Sequence, residues 1–474
     1  MKILILESIA ATPHLETSGE IAIREKKKGN DVTFCWIGYN LPWNDWELNW
    51  FYKLLGGSYE KKLISFCNLL EKNKIRVDNV KEEVSELKIK KWTQNFKGDL
   101  RHLKKYEYDN TNLGTSVASS LISKFKNINF DTKYEINKVR RLLHSSALVY
   151  ERAKNKIIEI RPDKIFTFNN RFATTYPIIC AAKKFNVIIN VHERGSDMNK
   201  FEIYPNDAHD INIIKKSINR YWNTNKDKSK IIKAKRFFLN KVSGKSLSKN
   251  NIINFTNKQI KDCLPDLPNN KRIVTFYSSR DYEKASLVNQ EFDQKKAFLN
   301  LKKVISKFKD IHLVVRVHPT LQENKSDDDE EWLKFNDKDT TIVQSNEKVD
   351  SYSLMFKSNI VITYTSSIIV EATYFDKPSI SLGHFWWSGR NIAEEPENNY
   401  QLKKMLDKNY KFKKKNKRSC LQIANYFLNY GIKYKYYSPI TINKGKFLGK
   451  ILTWKSSLII IVERYIDKIL KIKK

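Results

Sequence analysis

The sequence predicts an α/β fold with two domains, each built on a parallel sheet, and a basic helical tail. Short apolar runs alternate with helical patterns along much of the chain, which is the order that produces strand–helix–strand units. The 474 residues exceed what a single core usually organises, and 41% of them are hydrophobic. A stretch rich in Pro and Asn separates two groups of such units. We therefore expect domains at 1–264 and 271–400 and a tail at 401–474.

The first domain opens with a strand at 2–6, a helix at 15–28 and a second strand at 32–37. The loop between the first strand and the helix, SIAATPHLETSGE, lies at the carboxyl end of that strand. It contributes the polar residues His14, Glu16, Thr17, Ser18 and Glu20. Ligands of open α/β sheets bind at this end of the strands, so the loop is a candidate for a ligand-binding surface. Helix capping and solvent exposure are its ordinary structural explanation.

A second unit of the same kind follows, with a strand at 164–168, a helix at 172–185 and a strand at 187–191. Polar clusters stand at both strand ends: Asn169, Asn170 and Arg171, then His192, Glu193, Arg194, Gly195 and Asp197. Charged residues at one strand end usually just face solvent, whereas two clusters at matching ends favour a ligand-binding or catalytic face. The intervening residues 39–160 predict a helical region over the sheet, and 210–260 predict helices that lead into the linker.

The second domain begins with a strand at 272–277, followed by Ser278 and Ser279. The run 311–317 predicts a buried strand, which Pro319 ends because it removes a donor and fixes φ. Arg316 and His318 therefore lie at its carboxyl end.

A further strand at 359–363 is followed by Ser366 and Ser367, which are good caps for a helix that contains Glu371. A strand at 379–382 completes this unit. A helix start with free N–H groups attracts phosphate, so the predicted ligand is a nucleotide monophosphate or diphosphate, with Glu371 accepting from ribose hydroxyls. The candidate nucleotide-binding residues are Arg316, His318, Ser366, Ser367, Glu371, Ser278 and Ser279. Each has an ordinary alternative, because His-Pro is a common dipeptide and paired serines often cap helices.

At these residues the chain resembles a known family. The segments RVHP, TSSIIVEA and KPSISLG are similar to the nucleotide-binding half of bacterial capsule polysaccharide biosynthesis glycosyltransferases. The resemblance implies the GT-B fold, in which two Rossmann-like domains face a cleft, a nucleotide-sugar donor, a polysaccharide or lipid-linked glycan acceptor, and no catalytic metal or other cofactor. The same motif pair occurs in bacterial sialyl- and Kdo-transferases and in teichoic-acid polymerases, so the sugar is not specified.

The resemblance also bears on the acid–base residues, because this family commonly carries a polar loop of the HERG kind after such a strand. If the reaction inverts the anomeric centre, a carboxylate or His of the first domain deprotonates the acceptor hydroxyl. Glu193 is the first candidate for that base, with Glu16, Glu20 and Asp197 behind it. Trp386 and Trp387 could close over the base or sugar. The run DDDEE at 327–331 predicts a solvated helix start and no metal site.

The formal net charge of +35 favours a polyanionic partner, but codon bias toward Lys, Asn and Ile explains it equally well, and nucleic acid is the less favoured partner. The tail carries Ile451, Trp454, Leu458, Val462, Tyr465 and Ile469 at helical spacing between lysines. This pattern predicts either an interfacial helix on an anionic membrane or a helix packed on the body.

The sequence favours a location in the cytoplasm. Its five cysteines are scattered, and it shows neither a signal peptide nor a membrane-spanning segment. Peripheral attachment at the inner membrane face is the alternative.

Two other functions stay open at this stage. Sugar-nucleotide 2-epimerases share the fold and carry a related His-Pro element, although their Gly-Gly motif is replaced here by Thr365, Ser366 and Ser367. A non-catalytic basic protein that binds membrane or nucleic acid is the third reading.

Overall fold

The computed structural model describes residues 1–45, 50–79, 86–244, 259–280, 282, 293–319, 328–455 and 459. The chain forms two compact units. Unit 1 comprises residues 1–124, 129–208 and 431–474, and unit 2 comprises 125–128 and 209–430. The chain therefore leaves unit 1, builds unit 2 and returns to unit 1.

The strands, in chain order, are β1 Lys2–Glu7, β2 Asp31–Trp36, β3 Arg76–Asn79, β4 Lys164–Phe168, β5 Ile188–Arg194, β6 Lys200–Pro205, β7 Arg272–Tyr277, β8 Ile311–Arg316, β9 Thr340–Val343, β10 Ile360–Thr363, β11 Ser379–Ser381, β12 Ile432–Lys433, β13 Tyr437–Thr441, β14 Lys444–Phe447 and β15 Lys450–Ile451. The helices are α1 His14–Lys27, α2 Trp50–Leu54, α3 Tyr59–Lys72, α4 Glu86–Asn95, α5 Leu100–Leu103, α6 Gly114–Phe125, α7 Ile136–Ile160, α8 Tyr176–Lys184, α9 Ile211–Thr224, α10 Lys230–Val242, α11 Gln294–Ile305, α12 Asp328–Leu333, α13 Ser351–Lys357, α14 Ile368–Tyr374, α15 Asn399–Leu406 and α16 Lys417–Asn429.

The main sheet of unit 1 has the order β3-β2-β1-β4-β5-β6-β12. The first five strands are parallel, β6 pairs antiparallel with β5, and β12 pairs antiparallel with β6. Because the strand order reverses between β1 and β4, a crevice is expected outside the carboxyl ends of these two strands. Five of the six residues of β1 are buried, as is typical of a parallel strand that has both faces covered.

The sheet of unit 2 has the order β11-β10-β7-β8-β9, and all of its strands are parallel. This is the same winding as in the first sheet, with the reversal between β7 and β10. All six residues of β8 are buried. Both units are therefore doubly wound, Rossmann-like layers with one switch point each.

The predicted α/β fold class is confirmed by these two sheets. The predicted strands match β1, β2, β4, β7, β8, β10 and β11 to within a residue or two at each end. Two local differences matter for the site. Strand β5 continues through Arg194 to pair with β6, so the HERG segment begins inside the sheet. The helix predicted from 172 begins only at Tyr176, because residues 169–175 form turns over the strand ends. The facing of the two domains across a cleft stays a prediction.

The compact units divide the chain at other residues than the predicted domains. Helices α9 and α10, which were expected in the first domain, belong to unit 2, where Phe238 of α10 stacks on Tyr374 of α14 with ring centroids 4.0 Å apart. Residues from Gly431 onward return to unit 1. The physical reason is that an amphipathic helix packs where its apolar face finds a partner, and sequence order does not reveal which core that is.

The aromatic pair Trp386 and Trp387 lies in the core of unit 2 and does not cover a ligand site. Both indoles are buried in a cluster that includes Ile218 of α9 and Phe237 of α10. Their apolar area is used to attach these helices to the sheet.

The tail differs from the predicted helix over the part that the structure describes. Residues 437–451 form a three-stranded sheet of β13, β14 and β15, which includes Ile451. Trp454 packs edge-on against Tyr52, with ring centroids 5.3 Å apart. The remaining stripe residues, Leu458, Val462, Tyr465 and Ile469, lie outside the described residues. Within the described ranges, none of the helices combines the length and apolarity that a bilayer crossing requires.

Candidate active site

A buried polar triad lies at the switch point of unit 1. Glu7 ends β1, His192 lies near the end of β5, and Ser18 is in α1; the three residues are 0% exposed. The Ser18 hydroxyl donates to Glu7 Oε1 over 2.5 Å and lies 2.8 Å from His192 Nε2. His192 Nε2 also lies 3.1 Å from Glu7 Oε1. Among the described residues, Glu7 Oε2 and His192 Nδ1 have no hydrogen-bond partner. Buried polar atoms are nearly always hydrogen-bonded, so packing alone does not explain why these two are buried here.

Glu193 is the next residue of β5, so its side chain points to the other face of the strand. Its carboxylate accepts from the Asn169 side-chain amide, at the end of β4, and from the Arg194 backbone N–H over 3.3 Å. Burial raises the pKa of Glu193 above its ordinary value, and Asn169, His192 and Arg171 oppose this shift only in part. A carboxyl group with a raised pKa at a strand end is suited to general base or acid work.

Glu16 is one partner of a buried ion pair. Lys62 Nζ of α3 lies 2.8 Å from Glu16 Oε1, and the same ammonium donates to the Ala10 carbonyl and the Thr12 hydroxyl over 2.7 Å each. Burial lowers the pKa of Lys62, while Glu16 opposes that shift. The pair fixes the loop between β1 and α1. Glu16 Oε2 has no partner among the described residues, so one oxygen is left for a ligand.

Glu20 has an architectural role in place of the predicted catalytic one. Its side chain is completely buried and accepts the backbone N–H groups of Lys435, Tyr436 and Tyr437 over 2.8, 2.6 and 3.1 Å. The guanidinium of Arg24 donates to it over 2.6 Å. These four donors occupy both oxygens, so no acceptor position is left for a substrate hydroxyl.

Asp197 likewise serves the backbone. It accepts the N–H of Asn199 over 2.8 Å and lies 3.5 Å from Lys200 Nζ, and it thereby closes the turn between β5 and β6. Of the four predicted bases, Glu193 is therefore the carboxylate whose surroundings fit the task best, and Glu16 is second.

His14 stacks on Phe168 at the end of β4, with ring centroids 3.6 Å apart. Burial lowers the pKa of His14 well below its ordinary value, and Arg194, His192 and Lys62 add to this shift. The imidazole is therefore neutral near pH 7 and can donate or accept a proton without adding charge.

The switch point of unit 2 joins three of the predicted segments. The Thr365 hydroxyl, after β10, donates to the Ser279 hydroxyl, after β7, over 2.9 Å. The Ser278 hydroxyl accepts the backbone N–H of His318, after β8, over 3.0 Å. Ser278 and Ser279 thus hold the neighbouring strand ends together, which makes them positioning residues for this crevice.

Ser366 and Ser367 lie at the start of α14, as predicted, but do not cap it in the expected way. Ser367 occupies the N-cap position without a side-chain bond to the helix, and its side chain is exposed. The backbone N–H of Ser366 donates to the Thr363 hydroxyl over 2.7 Å. The capping prediction is therefore wrong for Ser367, because its hydroxyl makes no hydrogen bond to the helix.

Arg316 was predicted to bind phosphate, but in the structure its guanidinium hydrogen-bonds to the protein itself. It is 1% exposed, and its guanidinium donates to the Gln344, Glu347 and Val349 carbonyls over 2.5, 3.3 and 3.3 Å. Nε donates to the Ser351 hydroxyl over 3.2 Å. The side chain thus holds the loop after β9 in place, and its positive charge is stabilised by backbone carbonyl groups.

His318 is half-buried beside two cations. Burial lowers the pKa of His318 to about 3, with contributions from Arg280 and Arg316. The prediction of a cationic donor at this position is therefore wrong near pH 7, where the imidazole is neutral and can offer one N–H to a ligand.

Glu371 is buried in α14 and forms a close ion pair with Lys241 of α10. Its second oxygen has no partner among the described residues. The contact to a ribose stays a prediction.

Sequence reasoning missed Glu7, Lys62 and Thr365 as members of the two clusters. The sequence offers one clue to Glu7, because it is a lone carboxylate at the end of an apolar run. It offers none to Lys62, because a lysine in an amphipathic helix is usually solvated.

The fold and site define a class: an α/β protein of two doubly wound units, each with a polar cluster at its switch point. No protein-family model matches the chain, and no curated protein matches it by sequence. Among solved structures, the chain is similar to the KpsC β-Kdo 2,4-transferase of Thermosulfurimonas dismutans (12% identity, 56% of this chain and 79% of that chain covered, TM-score 0.35). It is similar to the β-Kdo 2,7-transferase of the same organism (14%, 68% and 90%, 0.35).

A third similar structure is the UDP-GlcNAc 2-epimerase of Neisseria meningitidis bound to UDP-GlcNAc (13% identity, 98% of this chain and 100% of that chain covered, TM-score 0.28). The fold assignment rests on the strand orders of the two sheets and not on these similarities.

The role of Arg316 can be tested by Arg316→Lys. We expect a loss of about 1–3 kcal/mol in the free energy of unfolding, because a lysine head cannot reach the same set of carbonyls and leaves some of them unpaired. Urea denaturation measures it. The matched control is Arg272→Lys at the start of β7, where an ion pair with Asp310 is partly exposed and its loss should cost about 0–1 kcal/mol. Equal effects of the two changes would contradict the anchoring role.

The lowered pKa values of His14 and His318 predict that the folded protein loses stability in acid. Both His14 and His318 are neutral in the folded protein, whereas the unfolded chain protonates them below their ordinary pKa of about 6.5. The unfolded state then binds more protons, so stability is fully present above that pH and is lost as the pH falls toward 3. We expect His318→Asn to flatten the fall in unfolding free energy between pH 7 and about 5. The exposed His384→Asn is the control, and an identical pH slope in both variants would count against the assignment.

Proposed function

We propose that the protein is a glycosyltransferase that moves a sugar from a nucleotide-sugar donor to a surface polysaccharide or glycolipid acceptor. The observation that carries the proposal is the chemistry at the two switch points. Unit 2 offers neutral hydroxyl and imidazole donors beside a helix start, and unit 1 offers a carboxyl group with a raised pKa. The first set suits a phosphate, and the second suits removal of a proton from a hydroxyl.

In this proposal the nucleotide binds to unit 2. The Ser366 and Ser367 hydroxyls and the His318 imidazole donate to the phosphate oxygens, while Ser278 and Ser279 hold the strand ends in place. Arg316 acts one layer behind, through the loop that it anchors. Donors that are already oriented stabilise the negative charge that develops on the departing phosphate, which is the largest catalytic contribution expected of such a site.

Glu193 is the proposed base of unit 1. The acceptor hydroxyl gives its proton to the Glu193 carboxylate as its oxygen bonds to the anomeric carbon. The bond from that carbon to the phosphate oxygen breaks, and the nucleotide leaves with the bonding electrons. Hydrogen-bond donors stabilise the developing negative charge in this proposal, so the proposed mechanism uses no metal.

A 2-epimerase is the second candidate. The Glu7, Ser18 and His192 triad favours it, since epimerisation requires proton transfer at carbon and a second acid–base set is present. Incubation with a panel of sugar nucleotides separates the two. A transferase releases nucleotide in proportion to added acceptor, whereas an epimerase changes the donor sugar without any acceptor.

Location at the cytoplasmic face of a membrane is part of the proposal. The described residues that support it are apolar and exposed on α2, where Phe51 is 44% and Leu54 is 75% exposed. They neighbour Tyr52, which packs on Trp454 in the basic tail. Exposed apolar side chains beside lysines are typical of a surface that contacts an anionic bilayer.

Nucleotide binding is tested by two variants, His318→Ala and the double change Ser366→Ala with Ser367→Ala. We expect each to weaken nucleotide affinity by roughly 1–3 kcal/mol, the range for hydrogen bonds to a charged group. Calorimetric titration with UDP, GDP, CDP and CMP measures it, and the melting temperature should change little. Unchanged affinity in both variants would place the nucleotide elsewhere.

The base is tested by Glu193→Gln. We expect transfer to fall at least about a hundredfold while nucleotide affinity is retained, because a general base acts in the transition state and not on the nucleotide. Glu135→Gln removes a half-exposed carboxylate of the same unit and should leave turnover unchanged. Undiminished turnover in Glu193→Gln with an inverted product anomer, determined by NMR, would assign the role to another residue.

A further inference from the structure

A small basic cavity lies in unit 1 beside the last turns of α1, whereas Glu7 and Ser18 of the triad lie toward the start of that helix. It encloses about 290 Å³ beside the last turns of α1 and the strands β6 and β12. The residues that line it are Ile21, Arg24, Glu25, Lys27, Lys28, Phe201, Ile203, Ile432, Lys435 and Tyr436. The cavity thus combines an apolar and aromatic wall with a charged rim, and its size suits one sugar-sized group better than a large ligand.

The charge of the rim is strongly one-sided. Four cations line the cavity against the single carboxylate of Glu25. Arg24 is satisfied by Glu20 and by the Lys433 carbonyl, and Lys28 pairs with Glu25 over 2.6 Å. Lys27 and Lys435 have no carboxylate partner within the part of the chain that the structure describes. Two ammonium groups at this cavity are therefore not neutralised by the protein.

Both of these lysines approach the same aromatic ring. Lys27 Nζ lies 5.0 Å and Lys435 Nζ lies 5.8 Å from the centroid of Tyr436, which is half-buried in the cavity wall. The helix dipole explains why a lysine is favoured in the last turn of α1. Lys435 lies near the ring as its chain neighbour, whereas Lys27 reaches it from a segment more than 400 residues earlier in the chain. The fold therefore brings a second ammonium group to this ring, which favours a binding site.

The segment that contributes Lys435 and Tyr436 is held firmly. Their backbone N–H groups donate to the buried Glu20 carboxylate over 2.8 and 2.6 Å. A site whose backbone is fixed before binding loses less conformational entropy when a ligand arrives. Lysine heads remain adjustable, which suits ligands whose acidic groups vary in position.

We propose that this cavity binds an anionic saccharide, with the sugar ring against Tyr436 and its carboxylate or phosphate between Lys27 and Lys435. Aromatic faces pack on the C–H face of sugar rings, and paired ammonium groups complement an acidic substituent. That the ligand is a glycan rests on the proposed function, and the cavity then serves as a subsite for an acidic acceptor. Arg24 and Ser18, the triad member in α1, are six residues apart, or about 9 Å along the helix, a distance within the length of a short oligosaccharide.

The test is calorimetric titration of the full chain, without nucleotide, with trigalacturonic acid as the acidic probe and maltotriose as the neutral one. The double variant Lys27→Gln with Lys435→Gln should bind the acidic probe about tenfold or more weakly. Tyr436→Leu should weaken it as well while leaving the charge unchanged. The matched control, Lys61→Gln with Lys72→Gln on α3, removes the same charge from exposed positions outside the cavity and should change affinity less than about twofold.

Maltotriose should not bind measurably. The proposal is overturned if trigalacturonic acid does not bind, or if both lysine double variants weaken it equally. It is also overturned if inorganic phosphate or vesicles of phosphatidylglycerol compete for the same lysines as well as the saccharide does. Glu193→Gln should retain probe binding, so failure of this subsite and failure of the transfer chemistry give different results.

Discussion

The buried carboxylate of Glu20 is the interaction on which unit 1 depends. The chain leaves this unit after residue 208 and returns at 431, so something must fix the returning segment to the first sheet. Glu20 does so by accepting three consecutive backbone N–H groups and the Arg24 guanidinium. Burying a carboxylate is costly unless hydrogen-bond donors replace the water that it loses, so removing these donors would destabilise the fold. The same returning segment brings the Tyr434 hydroxyl within 2.7 Å of the Thr17 hydroxyl in α1.

Unit 2 uses a buried cation for the same purpose. Arg316 collects the carbonyls of the loop after β9, and that loop precedes Ser351 at the start of α13. In both units, then, a charged side chain that was predicted as a site residue holds backbone groups in place. In unit 2 the groups that remain at the switch point are neutral hydroxyls and the His318 imidazole. The arrangement is consistent with the cost of desolvating ions, because a fixed charge is tolerated only where it is fully hydrogen-bonded.

The strands and the placement of the motifs could be predicted from the sequence, since buried parallel strands are continuous apolar runs and their ends are polar. The division of labour among the polar residues could not. Arg316 and His318 are two residues apart, and both look like phosphate-binding residues in the sequence. In the structure, however, Arg316 donates to backbone carbonyls, and His318 has a neutral ring. Glu20 finds its partners 415 to 417 residues away, and only the folded chain reveals them. Helices α9 and α10 were placed in the wrong unit for the same reason.

The surplus positive charge can act without entering the chemistry. Long-range attraction of acidic ligands depends on the summed surface charge, which is +35 for this chain, and it does not require cations at the reacting atoms. Burial keeps His14 and His318 neutral, so these two residues add no positive charge at the candidate sites. A neutral phosphate site holds a product nucleotide less tightly than a cationic one, because hydrogen bonds to uncharged donors are weaker than charge-assisted ones. In the proposed mechanism, attraction by the surface and release by the site are therefore set by different residues.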